Sequence, residues 1–194
     1  DDADELLRNA DLAMYTAKRG GRNCVSAYEP DMHRVALERL EIEAELRRAI
    51  DRREFVVHYQ PIVELATRRI LGFEALVRWQ HPERGLLHPV DFIGIAEAGE
   101  HLLDGIAHQV LGDACAQLAR WRSEERHHQL TVAVNISPGQ LLDPTFPDLV
   151  QQTLAEHGIP TSCLAIELTE GALIRDPDTV ALRLQRLHRA GITI

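Results

Sequence analysis

The stretch that decides the fold is residues 70–79, ILGFEALVRW, an apolar run with a carboxylate near its middle. Side chains alternate between the two faces of a strand, so every second residue from Leu71 to Val77 contributes to one apolar face. Glu74 and Arg78 share the opposite face. A buried carboxylate is costly unless it is paired or ligates a metal. Glu74 is therefore the first residue that needs a functional explanation.

The same pattern recurs twice downstream. Residues 130–137, LTVAVNIS, carry Asn135 on the face opposite their apolar side chains, and residues 163–170, CLAIELTE, carry Glu167 in the same way. Any one of these residues alone is equally well explained as the polar end of a strand. Three of them in comparable positions indicate a shared site. Oxygen ligands suit a hard divalent cation such as magnesium, manganese or calcium, rather than zinc or copper.

Composition narrows the class of protein. The chain has 194 residues, of which 45% are hydrophobic, enough for one full domain or parts of two. A net charge of −9 argues against binding to a DNA or RNA polymer, although local arginines can still hold a small anion. Cys24, Cys115 and Cys163 are far apart and lack metal-site spacing, which predicts reduced thiols. With no signal peptide or membrane-length apolar run, we expect a cytoplasmic protein, whose parent is free to be membrane-anchored through upstream segments.

The first 30 residues are predicted to be the end of a larger domain. Apolar residues at helical spacing are followed by Gly20 and Gly21, which end the helix, and a short strand is expected over residues 23–28. The stretch ADLAMYTAKRGGRN resembles the C-terminal end of a GGDEF (diguanylate cyclase) domain. In that family the cations matching Lys18 and Arg22 approach the triphosphate of GTP. The family's signature loop and metal carboxylates are absent here, so we interpret both as ordinary helix-end cations.

Residues 31–53 are predicted to form a charged connecting helix. Its apolar residues recur three and four apart and make a narrow seam, with Arg39 in the one gap. Two interpretations remain open: a dimer-forming signalling helix, or a helix that packs against the following domain. The seam consists of Met32, Val35, Ile42, Leu46 and Ala49.

From residue 54 onward, strands alternate with helices, which is typical of a parallel α/β architecture. FVVHYQPIVEL predicts a strand broken at Pro61 that forms a hairpin with residues 70–79. HPERGLLHP predicts a loop, and the helical pattern that follows has a break near Gly99. The chain closes with a predicted helix over residues 178–190 and a strand beginning at GITI. Polar residues near the carboxyl ends of successive strands indicate a barrel, whose active site lies at that end.

Five motifs in this order and spacing resemble those of an EAL domain. The family consists of bacterial phosphodiesterases that open cyclic di-GMP to a linear dinucleotide, and EAL domains commonly follow GGDEF domains. The resemblance implies the first half of a (β/α)8 TIM-like barrel over residues 54–194, preceded by the C-terminal helix and strand of a GGDEF domain. The motifs are YQPIV, the E-A-L of FEALVRW, HPERG, VNIS and ELTE.

The resemblance also implies roles for individual residues. Metal ligands of the family match Glu74, Asn135 and Glu167, which would hold Mg²⁺ or Mn²⁺, two ions in the complete domain. Its substrate-binding residues match Gln60, Leu76 and Arg78, the last holding a phosphate. The catalytic carboxylates match Glu74, Glu167 and Glu170, of which Glu170 orders an active-site loop with help from Thr169. His58 lies on the same strand face as Gln60, which leaves open whether it also contacts the ligand.

The sequence departs from the family at its end. An EAL barrel continues with an aspartate pair in a DDFG-like motif, a lysine and a further glutamate, whereas this sequence stops at Ile194. We therefore expect a fragment that is inactive by itself, made of a GGDEF remnant (1–30), a connector (31–53) and part of an EAL domain (54–194). Expected partners are cyclic di-GMP, a second copy of the parent, and upstream GGDEF and sensory domains.

Three functions compete. The parent is a metal-dependent phosphodiesterase, a non-catalytic receptor for cyclic di-GMP, or a purely structural dimerisation module. The intact polar residues on the strand faces argue against the third, since a scaffold has no use for them.

Overall fold

The computed structural model describes residues 2–19, 23–99, 101–124, 127–168 and 176–194. The chain divides into two compact units, Asp1–Leu46 and Arg47–Ile194. No helix in the described ranges is both long enough and apolar enough to cross a membrane.

The first unit contains helix α1 (Ala3–Arg19) and most of helix α2 (Asp31–Arg52). Arg34 on α2 pairs with Asp31 at 2.7 Å and with Glu38 at 2.8 Å, one turn to either side. The strand predicted over residues 23–28 is wrong, because this segment has no regular structure. A strand needs a neighbour for its backbone hydrogen bonds, and the described part of this unit offers none.

The second unit is built from a sheet and the helices that follow its strands. After the last turn of α2, its elements run in the following order: β1 (Phe55–Val63), β2 (Ile70–His81), β3 (Gly85–Leu87), α3 (Pro89–Ala96), α4 (Leu102–Arg122), β4 (Thr131–Ile136), α5 (Pro138–Leu142), α6 (Phe146–Glu156), β5 (Leu164–Leu168) and α7 (Pro177–Arg189). The helical pattern breaks after Ala96, close to the predicted Gly99. Helix α7 lies within one residue of its predicted bounds.

The sheet has the strand order β1-β2-β4-β5. Strands β2, β4 and β5 run parallel, and a further parallel bridge joins Ala165 to Thr193 in the predicted last strand. The predicted hairpin is confirmed, since β1 pairs with β2 in antiparallel fashion. The loop predicted over residues 81–89 is wrong in part, because Gly85–Leu87 folds back and pairs with β2 as β3.

Strand β1 continues through Pro61, so the break predicted there is also wrong. Pro61 pairs with Phe73, and the register shifts only at the next two residues, Ile62 and Val63. Proline cannot donate a backbone hydrogen bond, but β1 lies at one end of the described strand order, where such a donor is dispensable.

One face of the sheet is apolar and packs against α4. The Phe73 ring lies 4.4 Å from Trp121 of α4, and Tyr59 meets the same indole at 4.8 Å. Val132 and Val134 of β4 are fully buried on this side. Burial of these large apolar groups supplies the main driving force for the fold. The opposite face of the sheet carries Glu74 and does not take part in this packing.

Glu54 links the end of α2 to the sheet. Its backbone N–H donates to the Ala49 carbonyl at 3.0 Å, and its carbonyl accepts from the Gln80 N–H at 2.8 Å. Its carboxylate accepts from the Trp79 indole N–H at 3.0 Å. These bonds hold the beginning of β1 firmly against the carboxyl end of β2.

Candidate functional site

Glu74 lies on the face of β2 that points away from α4. It pairs in register with Gln60 of β1 on one side and with Ala133 of β4 on the other. Its side chain is half-buried. Because Phe73 and Ala75 on either side of it face the helices, strand geometry fixes the carboxylate on the polar face.

Asn135 and Glu167 complete the group. They are direct register partners across the parallel β4–β5 pair. The Asn135 side-chain N–H donates to Oε1 of Glu74 at 2.7 Å. Asn135 and Glu167 lie near the carboxyl ends of β4 and β5, and Glu74 lies in the last pairs of β2 that are in register with β4, so the three side chains come together on one face of the sheet. The sequence pattern and the structure agree on this grouping.

Glu167 lies in the electrostatic field of Glu74. Burial, and after it the negative charge of Glu74, raises the pKa of Glu167 above its ordinary value of 4.5. Two carboxylates that share one site repel each other when both are ionised. A divalent cation bound between them would remove that repulsion.

The donor set fits a hard cation. Two carboxylates and one amide offer only oxygen ligands of the kind that Mg²⁺ and Mn²⁺ prefer. Within the described ranges, no group of three or more His, Cys, Asp or Glu residues is arranged to hold a metal ion. Since such an ion takes about six ligands, water, a ligand phosphate or other side chains would have to supply the rest.

The predicted substrate-binding residues lie on the same polar face. Gln60 sits opposite Glu74, and Leu76 and Arg78 follow Glu74 towards the carboxyl end of β2. The half-buried Arg78 guanidinium donates to the carbonyl of Val77 at 2.7 Å. Glu170 and its predicted helper Thr169 lie outside the described residues, as does Arg22.

A cavity of about 370 Å³ opens beside this group, between α3, α4 and the carboxyl ends of β2 and β4. Leu76 and Asn135 form part of its wall, and the rest of the wall is mainly aliphatic. Glu97, just after α3, adds a carboxylate that the sequence analysis missed. In the sequence, Glu97 is recognisable only as an acidic residue that directly follows the apolar helix PVDFIGIA. The search for alternating strand patterns does not detect a residue at the end of a helix.

The chain belongs to the EAL domain family, whose family model matches residues 43–194. One relative is the bifunctional diguanylate cyclase/cyclic di-GMP phosphodiesterase MucR of Pseudomonas aeruginosa, 38% identical over 98% of this chain and 27% of its own. Another is the cyclic di-GMP phosphodiesterase PdeR of Escherichia coli, 37% identical over 100% of this chain and 29% of its own. The chain thus spans between a quarter and a third of the length of these relatives.

Solved structures agree with the family assignment. The PaMucR phosphodiesterase in complex with c-di-GMP matches with a TM-score of 0.73 and 36% identity, covering 78% of this chain and 61% of that one. The Xanthomonas citri FimX EAL domain in complex with c-diGMP matches with a TM-score of 0.69 and 26% identity, covering 82% and 61%. The mixed α/β fold is therefore that of the TIM-barrel-like EAL structures.

Proposed function

We propose that this chain is part of a bacterial metal-dependent phosphodiesterase that hydrolyses cyclic di-GMP to linear pGpG. The observation that carries the proposal is the convergence of Glu74, Asn135 and Glu167 on one face of three neighbouring parallel strands. In a member of the EAL family, this is where the ligand of a barrel would bind.

Glu74, Asn135 and Glu167 would hold Mg²⁺ or Mn²⁺, two ions in the complete domain. When bound, such ions activate water and neutralise the charge that develops on a phosphate. The raised pKa of Glu167 supports this role, because a cation at this position stabilises both carboxylates in their ionised form.

The other residues would bind and orient the ligand. Arg78 offers a guanidinium for a phosphate, whose two oxygens it can contact at once. Gln60 and Leu76 would line the nucleotide site. Glu170 would order an active-site loop.

The domain organisation remains a proposal of the same kind. We assign residues 1–30 to the end of a GGDEF domain, 31–53 to a connecting signalling helix and 54–194 to an EAL domain. The parent would be a cytoplasmic or membrane-anchored homodimer with upstream GGDEF and sensory domains. We expect residues 1–194 alone to be inactive, since two carboxylates and an amide provide too few ligands for two ions.

The test is hydrolysis of cyclic di-GMP by the complete parent protein in Mg²⁺ or Mn²⁺, with products separated by chromatography. Wild-type protein should release linear pGpG, and Glu74→Ala should lose at least about 100-fold in rate because a metal ligand is gone. Glu156→Ala is the matched control, because Glu156 is exposed on α6. Equal activity of Glu74→Ala and wild type would refute the assignment of Glu74.

The receptor alternative is separated by the same experiment. Cyclic di-GMP binding without any product would identify a non-catalytic EAL receptor that relays ligand binding through the connecting helix. Neither binding nor product would remove both functions.

A further inference from the structure

The polar face of the β1–β2 hairpin is arranged in rows. Successive pairs across the two strands are Gln60 with Glu74, His58 with Leu76, and Val56 with Arg78. Strands β2 and β4 are in register as far as Ala75 and Val134, so Leu76 and Asn135 come next in line. His58 therefore occupies the same row as Leu76, and the row continues through Asn135 to Glu167.

This row lies between the two charged ends of the proposed site. Glu74 and Arg78 are four residues apart on β2, which corresponds to about 13 Å along the strand. A ligand that reaches from the carboxylate group to the Arg78 guanidinium has to pass over the pair formed by His58 and Leu76. Leu76 offers only apolar contact there, so His58 is the polar group of this pair.

The His58 ring has no structural task in the described residues. Its side chain is exposed, and no hydrogen bond joins the ring to any described group. His81 makes the opposite use of its ring: it is buried, and its Nδ1 accepts from the backbone N–H groups of Glu83 and Arg84. A histidine that the fold does not use, on the face where the ligand lies, is available for binding.

We propose that His58 is a specificity-determining residue that donates a ring N–H to a phosphate or ribose oxygen of the bound cyclic dinucleotide. The inference rests on the proposed function, because it takes the ligand to span Glu74 and Arg78. An imidazole N–H is a suitable donor to both kinds of oxygen. The contact serves binding and orientation, and the bond-breaking step involves other groups.

The test uses the complete parent enzyme with three substitutions. His58→Leu removes the donor while keeping a side chain of similar volume. His58→Gln keeps an N–H donor close to the position of Nε2. His108→Leu is the control, because His108 is exposed on α4 outside this face. KM and kcat for cyclic di-GMP and the melting temperature are measured for each.

Loss of one hydrogen bond to the ligand should raise KM of His58→Leu about tenfold. Its kcat and melting temperature should stay close to wild type, His58→Gln should keep KM within about threefold, and His108→Leu should match wild type. An unchanged KM in His58→Leu would overturn the inference, and so would a loss of kcat or of melting temperature at constant KM.

Failure of the proposed function has a different signature. If wild-type parent binds cyclic di-GMP without hydrolysing it, the dissociation constant replaces KM and the same tenfold weakening is expected. If the wild-type parent neither binds nor hydrolyses cyclic di-GMP, the proposed function and the role of His58 are both refuted.

Discussion

The spacing between β2 and β4 depends on Gly72, and substitution of this residue is the sharpest test of the sheet geometry. A Cβ on Gly72 would lie 2.3 Å from Thr131 Oγ1 and 2.5 Å from the Thr131 carbonyl oxygen. The hydroxyl can rotate away, but the carbonyl belongs to the backbone of the neighbouring strand. The Gly72→Ala change therefore forces β2 and β4 apart where they pair.

The expected cost follows from two opposing effects. Overpacking against rigid backbone costs about 3 kcal/mol, at the upper end of the usual range. Replacing glycine by alanine also restricts the unfolded chain, which raises the free energy of unfolding by up to about 1 kcal/mol. A net loss of about 2 kcal/mol lowers the melting temperature of a chain of this size by about 4–8 °C.

The assay is urea unfolding of wild-type and variant chains, followed by the fluorescence of Trp79 and Trp121, which lie in the same unit as Gly72. Gly112→Ala is the matched control, because nothing lies within 4 Å of its added Cβ in α4. That change should stabilise the helix by about 1 kcal/mol.

Adding Thr131→Ala to Gly72→Ala removes the hydroxyl but leaves the carbonyl, so it should restore little stability. A Gly72→Ala protein as stable as wild type, or full rescue by Thr131→Ala, would refute the reasoning.

Two further predictions concern titratable groups. Because the pKa of Glu167 is raised by folding, the folded chain holds this proton more tightly than the unfolded chain, and the resulting stability is lost as pH rises from 4.5 through the raised pKa. In metal-free buffer, Glu167→Gln should flatten the fall in melting temperature over that range, and an unaltered pH profile would contradict the raised pKa. Burial raises the pKa of the Cys115 thiol to about 12, so only the exposed Cys24 should react quickly with Ellman's reagent at pH 8. Cys115 and the buried Cys163 should react after unfolding, and rapid reaction of all the thiols in the folded protein would contradict this.

Strand periodicity predicted which polar residues share a strand face better than it predicted the edges of the sheet. Glu74, Asn135 and Glu167 each follow an alternating apolar pattern, so their common face could be inferred without any knowledge of pairing. The structure brings them together through strand register and a hydrogen bond between Asn135 and Glu74. Their roles as metal ligands remain predictions.

The errors have a common physical origin, since each concerns a feature decided by a neighbouring element. Pro61 does not break β1, because the strand lies at the end of the described strand order, and β3 forms because the end of β2 offers it a partner. Residues 23–28 look extended in sequence but find no partner in the described unit. Glu97 joins the cavity wall only through the packing of α3 and α4. Local sequence carries no information about such partners.

The antiparallel direction of β1 determines where mechanical force reaches the sheet. In an all-parallel sheet, every strand begins at the edge remote from the carboxyl ends of its neighbours. Here β1 begins at the opposite edge, where Phe55 pairs with Trp79, the residue next to Arg78. Glu54 is hydrogen-bonded at this point to Ala49, Trp79 and Gln80. A displacement of the last turn of α2 is therefore transmitted through a few hydrogen bonds to the end of β2 that carries Arg78, without crossing the body of the domain.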